Sequence, residues 1–262
     1  NADHPDLQFG VELRGEVDGS DGSIALAGQL RAYEAQIHGG GNGGGIEMAG
    51  GEIAGQLASE QDVFGHGRIG GELMLDESRL IADAPARTLE IEAAYIRLNS
   101  GSEDAFQVVR GGWAKLVGSR FSSQSHAKFL VDNEDFDARG DEEYSELVVR
   151  DSELLIDGRV GDGGRLETFG DVALGDVEVT ERGRVVVHGN ASAGRLHLSN
   201  SWMDEAAQLE VRGGARLAAG RLEIQAHHDE GDGVAFVEGE LAMQNQVRVS
   251  AKLFLLATIV LF

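Results

Sequence analysis

Three acidic groups come closest, by residue type and spacing, to a chemical site: Asp18-Gly19-Ser20-Asp21, the run Asp132, Glu134, Asp135, Asp137 and Asp141, and Asp229 with Asp232. Several carboxylate oxygens on a pliant loop suit a hard cation, so calcium is the ligand these groups would take. None has the twelve-residue spacing of an EF-hand loop, and each reads first as a solvated acidic loop, with a calcium site as the alternative. His227 and His228 stand beside Asp229, but adjacent residues on a strand-terminal loop point different ways, a poor start for a transition-metal site. With 45 Asp plus Glu in the chain, some pair will stand at glycosidase separation by chance, so a carboxylate pair alone identifies nothing. Cysteine is absent, which removes thiolate metal sites, disulfides and a thiol nucleophile. A GxSxG elbow, a P-loop, HExxH and a dinucleotide fingerprint leading into a helix are absent too. The residues that could do chemistry point away from catalysis.

Charge narrows the partners. Against those 45 acids stand 22 Lys plus Arg in 262 residues, a formal charge of −23. Phosphate backbones are held mainly by clustered cations, so a general nucleic-acid surface is excluded. The same charge keeps a long β-rod soluble and discourages random lateral sticking. Hydrophobic residues make up 42%, enough for a core, and 38 glycines against 2 prolines suit many strands joined by glycine turns.

The elements that must position these groups announce themselves as an internal repeat. Leu166-Glu-Thr-Phe-Gly170 through Leu174, Val177 and Val179 aligns with Val185-Val-Val-His-Gly189 through Ala193, Leu196 and Leu198, at an offset of 19 (185 − 166). A third copy starts at Leu209, offset 24 (209 − 185), with its two extra residues placed between Leu217 and Gly220; a fourth starts at Ala235, offset 26 (235 − 209). Each copy holds three apolar-x-apolar pairs, the period-two signature of a strand with one buried face. Gly170, Gly189, Gly213 and Gly239 fall at one corner. A unit this short cannot bury its face alone, whereas stacked units bury a continuous apolar column. The expected fold is all-β: a parallel β-solenoid, with the hand of a right-handed β-helix, about 19–26 residues per coil and lateral loop insertions.

Insertions collect at one point of the repeat, at residues 180–184, 199–208 and 225–234. They place Trp202, Met203, His227 and His228 on a common flank, the expected lateral contact surface. Residues 1–146 carry the same grammar in poorer register, from Val11-x-Leu13 to Val109-Arg-Gly-Gly-Trp113, which echoes Val211-Arg-Gly-Gly-Ala215. Gly39–Gly45 reads as a flexible loop and Gln124–Glu146 as a long acidic insertion. Residues 147–250 form the regular coils. Residues 251–262 hold the run Leu253 to Phe262, in which only Thr258 has a polar side chain; ten residues are too few to span a bilayer as a helix, so the run reads as a buried final strand that caps the rod or as a strand that completes a neighbouring subunit.

The glycine-punctuated repeats of residues 147–250 resemble the right-handed β-helix of bacterial surface proteins such as autotransporter passengers and adhesins. The stretch Leu209–Ile224 is also similar to bactofilins, whose β-helical subunits polymerise end to end without nucleotide. Both resemblances imply a fold rather than an activity, and carry over no catalytic residue.

The expected function is therefore a non-enzymatic, self-assembling structural protein, a homopolymer built head to tail. The junction would be formed by Leu7, Phe9 and Val11 at one end and Leu253, Phe254, Leu255, Leu256, Ile259, Val260, Leu261 and Phe262 at the other. Asn1 in place of methionine reads as a mature chain after leader removal or, equally, as the boundary of a cut piece; the expected location is secreted or cell-surface. Cell-surface or matrix polysaccharide is the other expected partner. The alternatives are an enzyme cleaving an acidic polysaccharide on the same fold, weakened by an aromatic content of 6%, and a monomeric adhesin.

Overall fold

The computed structural model describes residues 10–18, 24–26, 29–38, 45–99, 104–124, 126–133, 144–200, 207–226, 234–249, 253–255 and 259–261. Every regular element among them is a strand, and neighbouring rungs pair in parallel. The chain is a parallel β-solenoid with three faces.

The first face stacks β1 (Gly10–Asp18), β3 (Gln29–His38), β4 (Gly45–Ser59), β5 (Asp62–Asp76), β7 (Thr88–Asn99) and β9 (Trp113–Val117). It continues through β12 (Ser145–Arg150), β15 (Gly164–Phe169), β18 (Arg184–Val187), β20 (Gln208–Val211), β22 (Val234–Val237) and β24 (Leu253–Leu255). The second face uses the later halves of the long early strands. After them come β10 (Arg120–Ser123), β13 (Glu153–Leu154), β16 (Asp171–Leu174), β19 (Asn190–Asn200), β21 (Arg216–Ala226), β23 (Glu240–Val249) and β25 (Ile259–Leu261). The third face begins with β2 (Ile24–Leu26) on the start of β4, then the start of β5. There follow β6 (Leu80–Ala82), β8 (Asp104–Val108), β11 (Lys128–Val131), β14 (Asp157–Val160) and β17 (Val177–Thr180), and then the later halves of β19, β21 and β23.

Period-two alternation places one side chain in two inside, and stacking lines those up. One column of the first face runs Ile53, Ile69, Ile91, Leu116, Val149, Thr168, Val187 and Val211, all in register and all buried. Thr168 is the exception in chemistry: 1% exposed, with a hydroxyl that has no hydrogen-bond partner. Phe106 and Phe121 meet inside at 5.0 Å between ring centroids, and Phe129 packs where a side chain on Gly158 would stand.

The repeat alignment matches the register residue for residue at Leu166 with Val185, Leu174 with Ala193, Val177 with Leu196 and Val185 with Leu209. Three features differ from the sequence reading. Coil length runs from 16 (Glu52 to Arg68) to 33 (Trp113 to Glu146), wider than 19–26. The short coil turns its corners with glycines at positive φ, such as Gly65 and Gly67, and the long one carries residues 134–143 as an insertion. The two extra residues of the third repeat sit in the Arg212–Ala215 turn, since Val187 pairs with Val211 but Asn190 with Arg216. The echo between Val109-Arg-Gly-Gly and Val211-Arg-Gly-Gly joins two different corners: the first leads from the third face to the first, the second from the first face to the second. The resemblance is one of turn chemistry, Arg110 and Gly111 at φ 55° and 73°, Gly214 at 81°.

The stretch Gln124–Glu146 is not one uninterrupted insertion. Lys128–Val131 pairs with Asp104–Val108 on one side and Asp157–Val160 on the other, because Phe129 and Val131 supply the inward positions of a third-face strand. The ladder passes through this region on all three faces, as β9 to β12, β10 to β13 and β11 to β14. The breaks between described strands change corner here. Before it the chain segments left out of the strands fall mainly between second and third faces (19–23, 39–44, 100–103); after it they fall between third and first (134–143, 201–206, 227–233).

Candidate functional site

Outward positions, freed from the core, are stacked as strictly as inward ones, so a charge on one rung meets its neighbour on the next. The described residues use this for ion pairs along the axis: Arg68 with Glu92 (2.7 Å), Arg79 with Asp62 (2.6 Å), Arg120 with Glu153 (3.1 Å), Arg184 with Glu210 (2.6 Å), Arg216 with Glu240 (3.1 Å), and Arg182 with Asp162.

One buried cluster is on the third face, where Glu223 lies between Arg195 and Arg221, and is itself only 2% exposed. Its hydrogen bond to Arg195 holds the carboxyl below the ordinary value of 4.5 against the opposing effect of burial, with the charges of Arg195 and Arg221 adding to it. A carboxylate so held is an anionic strut and a poor proton donor at neutral pH. Glu146 on the first face is the opposite case: burial pushes its carboxyl up, Arg165 at 3.5 Å pulls it down, and the Glu167 carboxylate reinforces the rise.

Grooves run along two faces. On the second, a groove of about 550 Å3 is lined by Ala173, Ser192 and Ala218 together with Asp151, Glu153 and Asp171. On the third, one of about 570 Å3 mixes Lys128, Arg159 and Arg195 with Asp157, Asp176 and Glu178. His197 sits there with Nδ1 3.6 Å from Glu178.

Of the acidic groups singled out in the sequence, Asp132 is described: it is 7% exposed, with Oδ2 3.6 Å from Arg159. Asp18 is the last residue of β1 and pairs with His38. Asp21, Glu134, Asp135, Asp137, Asp141, Asp229 and Asp232 lie outside the described residues, as do Trp202, Met203, His227 and His228. Among the described residues no group of three or more His, Asp or Glu is placed to hold a metal ion.

The residues expected at the ends of the rod are brought to its terminal rungs where they are described. Val11 pairs with Leu30. Leu253, Phe254 and Leu255 pair with Ala235, Phe236 and Val237. Ile259, Val260 and Leu261 pair with Leu241, Ala242 and Met243. Leu7, Phe9, Leu256 and Phe262 lie outside the described residues. Among the described residues β1 has one strand partner, β3, while β24 and β25 pair only with β22 and β23. No described helix is long and apolar enough to cross a membrane.

Sequence reasoning missed the buried serines. Ser119, 3% exposed, donates its hydroxyl to Ile91 O (3.0 Å) and accepts from Ala94 N–H (3.2 Å), while its own N–H donates to Ser152 Oγ (3.0 Å). This polar spine serves the corner between first and second faces where glycine serves it later. Its only signal was a serine, Ser119 and Ser152, two residues after the end of a strand.

No protein-family model, curated protein or solved structure matches the chain, so the strand ladder itself defines its class, a parallel β-solenoid.

Proposed function

We propose that this protein is a structural, non-catalytic subunit that assembles end to end into a filament outside the cell or on its surface. The observation that carries the reading is the pairing of the terminal rungs. The first and last described rungs each bond through one edge, and all rungs between them run in the same direction. An unpaired parallel edge is a template for another strand, and the last edge of one copy matches the first edge of the next in direction. Such a contact is heterologous and does not close, so it propagates. Supporting it, Leu253–Phe262 carries no charge in a chain of net charge −23, which favours burial of this rung over exposure. The axial ion pairs support a stiff rod, since their carboxylates are engaged with arginines on the next rung.

The test is electron microscopy of the purified chain beside a variant lacking residues 253–262 and a second carrying Phe254→Glu and Val260→Lys. Fibres of constant width from the parent, and short soluble rods from both variants at the same concentration, are the expected result. Fibres that persist in both variants overturn the junction.

A further inference from the structure

The outer side of the first face, from β9 to β20, departs from the charge of the rest of the chain. Its outward positions are Trp113, Lys115 and Val117, then Glu146, Val148 and Arg150, Arg165, Glu167 and Phe169, Arg184, Val186 and His188, and Gln208, Glu210 and Arg212. Lys115, Arg150, Arg165, Arg184 and Arg212 against Glu146, Glu167 and Glu210 leave 5 − 3 = +2, on a chain of −23.

The three acids are already engaged: Glu146 and Glu167 with Arg165, Glu167 with His188 at 3.4 Å, and Glu210 with Arg184 and Arg212, both at 2.6 Å. Lys115 and Arg150, both exposed, make no ion pair within 4 Å among the described residues, although Lys115 stands in register with Glu90 of the preceding rung. The Arg150 guanidinium is held 5.1 Å over the Phe169 ring, which stacks in turn on His188 at 4.4 Å. It is a fixed cation rather than a swinging one.

Two aromatic rings share these two rungs. The large hydrophobic side chains exposed among the described residues are Trp113 (41%), Tyr144 (43%) and Leu155 (41%). Trp113 opens β9, and Tyr144 precedes β12 on the rung that pairs with it, so both lie at the leading edge of this face. Exposed rings stack on the apolar faces of sugars, and unpartnered cations take the carboxylates or sulfates those sugars carry.

We infer that the strip bounded by Trp113, Tyr144, Lys115 and Arg150 binds an acidic polysaccharide laid along the rungs. The occupant is a polymer of sparse charge. A nucleic acid, with a charge about every 1.7 Å of duplex, would meet the repulsion of the whole chain and find only two free cations. A sugar polymer with isolated acidic groups uses both cations and both rings.

The experiment is calorimetric titration of the full chain with alginate oligosaccharides for carboxylates, heparin oligosaccharides for sulfates, neutral dextran, and a single-stranded DNA oligonucleotide. The expected result is saturable binding of one of the two acidic sugars, weakened by added salt, with no heat from dextran. Lys115→Glu with Arg150→Glu, and separately Trp113→Ala with Tyr144→Ala, each weaken it by about tenfold or more. All four positions are surface ones, and circular dichroism verifies that the variants fold. Absence of binding to both acidic sugars, binding unchanged in either double variant, or DNA bound at least as tightly overturns the inference. This surface is lateral, so the outcome is independent of end-to-end assembly.

Discussion

Replacing Gly189 by alanine tests how closely the coils stack. Gly189 lies at the corner between first and second faces, over Gly170 of the preceding coil. An added Cβ would stand against the carbonyl oxygen of Gly170, 2.5 Å from its amide nitrogen and 3.0 Å from its Cα. These are backbone atoms held by their own ladder, including Asn190 N–H to Gly170 O at 2.8 Å, so relief comes only by parting two rungs spaced about 4.8 Å. Overpacking of this kind costs about 1–3 kcal/mol, and the rigid neighbour puts Gly189→Ala near the upper end. The next repeat supplies internal controls at the same corner. Around Gly213 the nearest atom to a Cβ is Glu238 Oε2 at 3.9 Å, and around Gly214 no atom lies within 4 Å. Gly213→Ala is therefore neutral or stabilising by up to about 1 kcal/mol, through the unfolded chain. Gly214 sits at φ 81°, so Gly214→Ala costs about 1–2 kcal/mol from backbone strain alone. Urea unfolding of the three variants followed by circular dichroism reads the order. Gly189→Ala unfolding at the same urea concentration as Gly213→Ala would refute close stacking at this corner.

Thr168→Val removes a buried hydroxyl with no partner from the Val149–Val187 column and is expected to raise stability by about 1–2 kcal/mol; a lowered urea midpoint contradicts it. Ser119→Ala strands the buried N–H of Ala94 and is expected to cost about 1–3 kcal/mol, with faster hydrogen exchange at Ala94 as its local sign. Glu223 and Glu146 give opposite pH dependences. The Glu223 carboxyl is lowered when folded, so its contribution is present above 4.5 and lost as pH falls through the lower folded value. Glu223→Gln is accordingly less stable than the parent at pH 7, with the gap closing below pH 4.5. The Glu146 carboxyl is raised, so its contribution is present below 4.5 and lost as pH rises through the folded value. Glu146→Gln then improves relative to the parent as pH rises from 4.5 to 7. Denaturation series at the two pH values check both signs, and parallel trends would refute the assignments.

The repeat was legible because inward residues obey two constraints together, alternation along a strand and identity of role between coils. Val185 over Leu166 and Leu196 over Val177 follow from both. Where a corner changes length the constraint weakens, so the extra residues of the third repeat were assigned to the wrong side of Leu217. Where polar residues surround a strand the pattern is masked: Lys128–Val131 has two inward positions, too few to stand out from the acidic sequence after it. The charged ladders were illegible for another reason. Arg195 and Glu223 are 28 residues apart and become neighbours only once the register between β19 and β21 is known. Trp113 looked like one more apolar position until its outward phase on β9 was set by burial of Ala114 and Leu116 on either side of Lys115.

The central claim is that the ladder continues from one copy into the next. Among the described residues the first face holds twelve rungs, β1, β3, β4, β5, β7, β9, β12, β15, β18, β20, β22 and β24. At roughly 4.8 Å per rung the steps from the first rung to the last span roughly 53 Å of axis, and one more step across the junction makes roughly 58 Å. Electron cryomicroscopy of the filaments, with helical reconstruction, measures both spacings at once. The account predicts an unbroken rung spacing through the subunit boundary and an axial repeat of roughly 58 Å or slightly more, with β24 and β25 of one copy against the first rung of the next. Isolated rods, or filaments joined through the lateral faces with the terminal edges free, would contradict it.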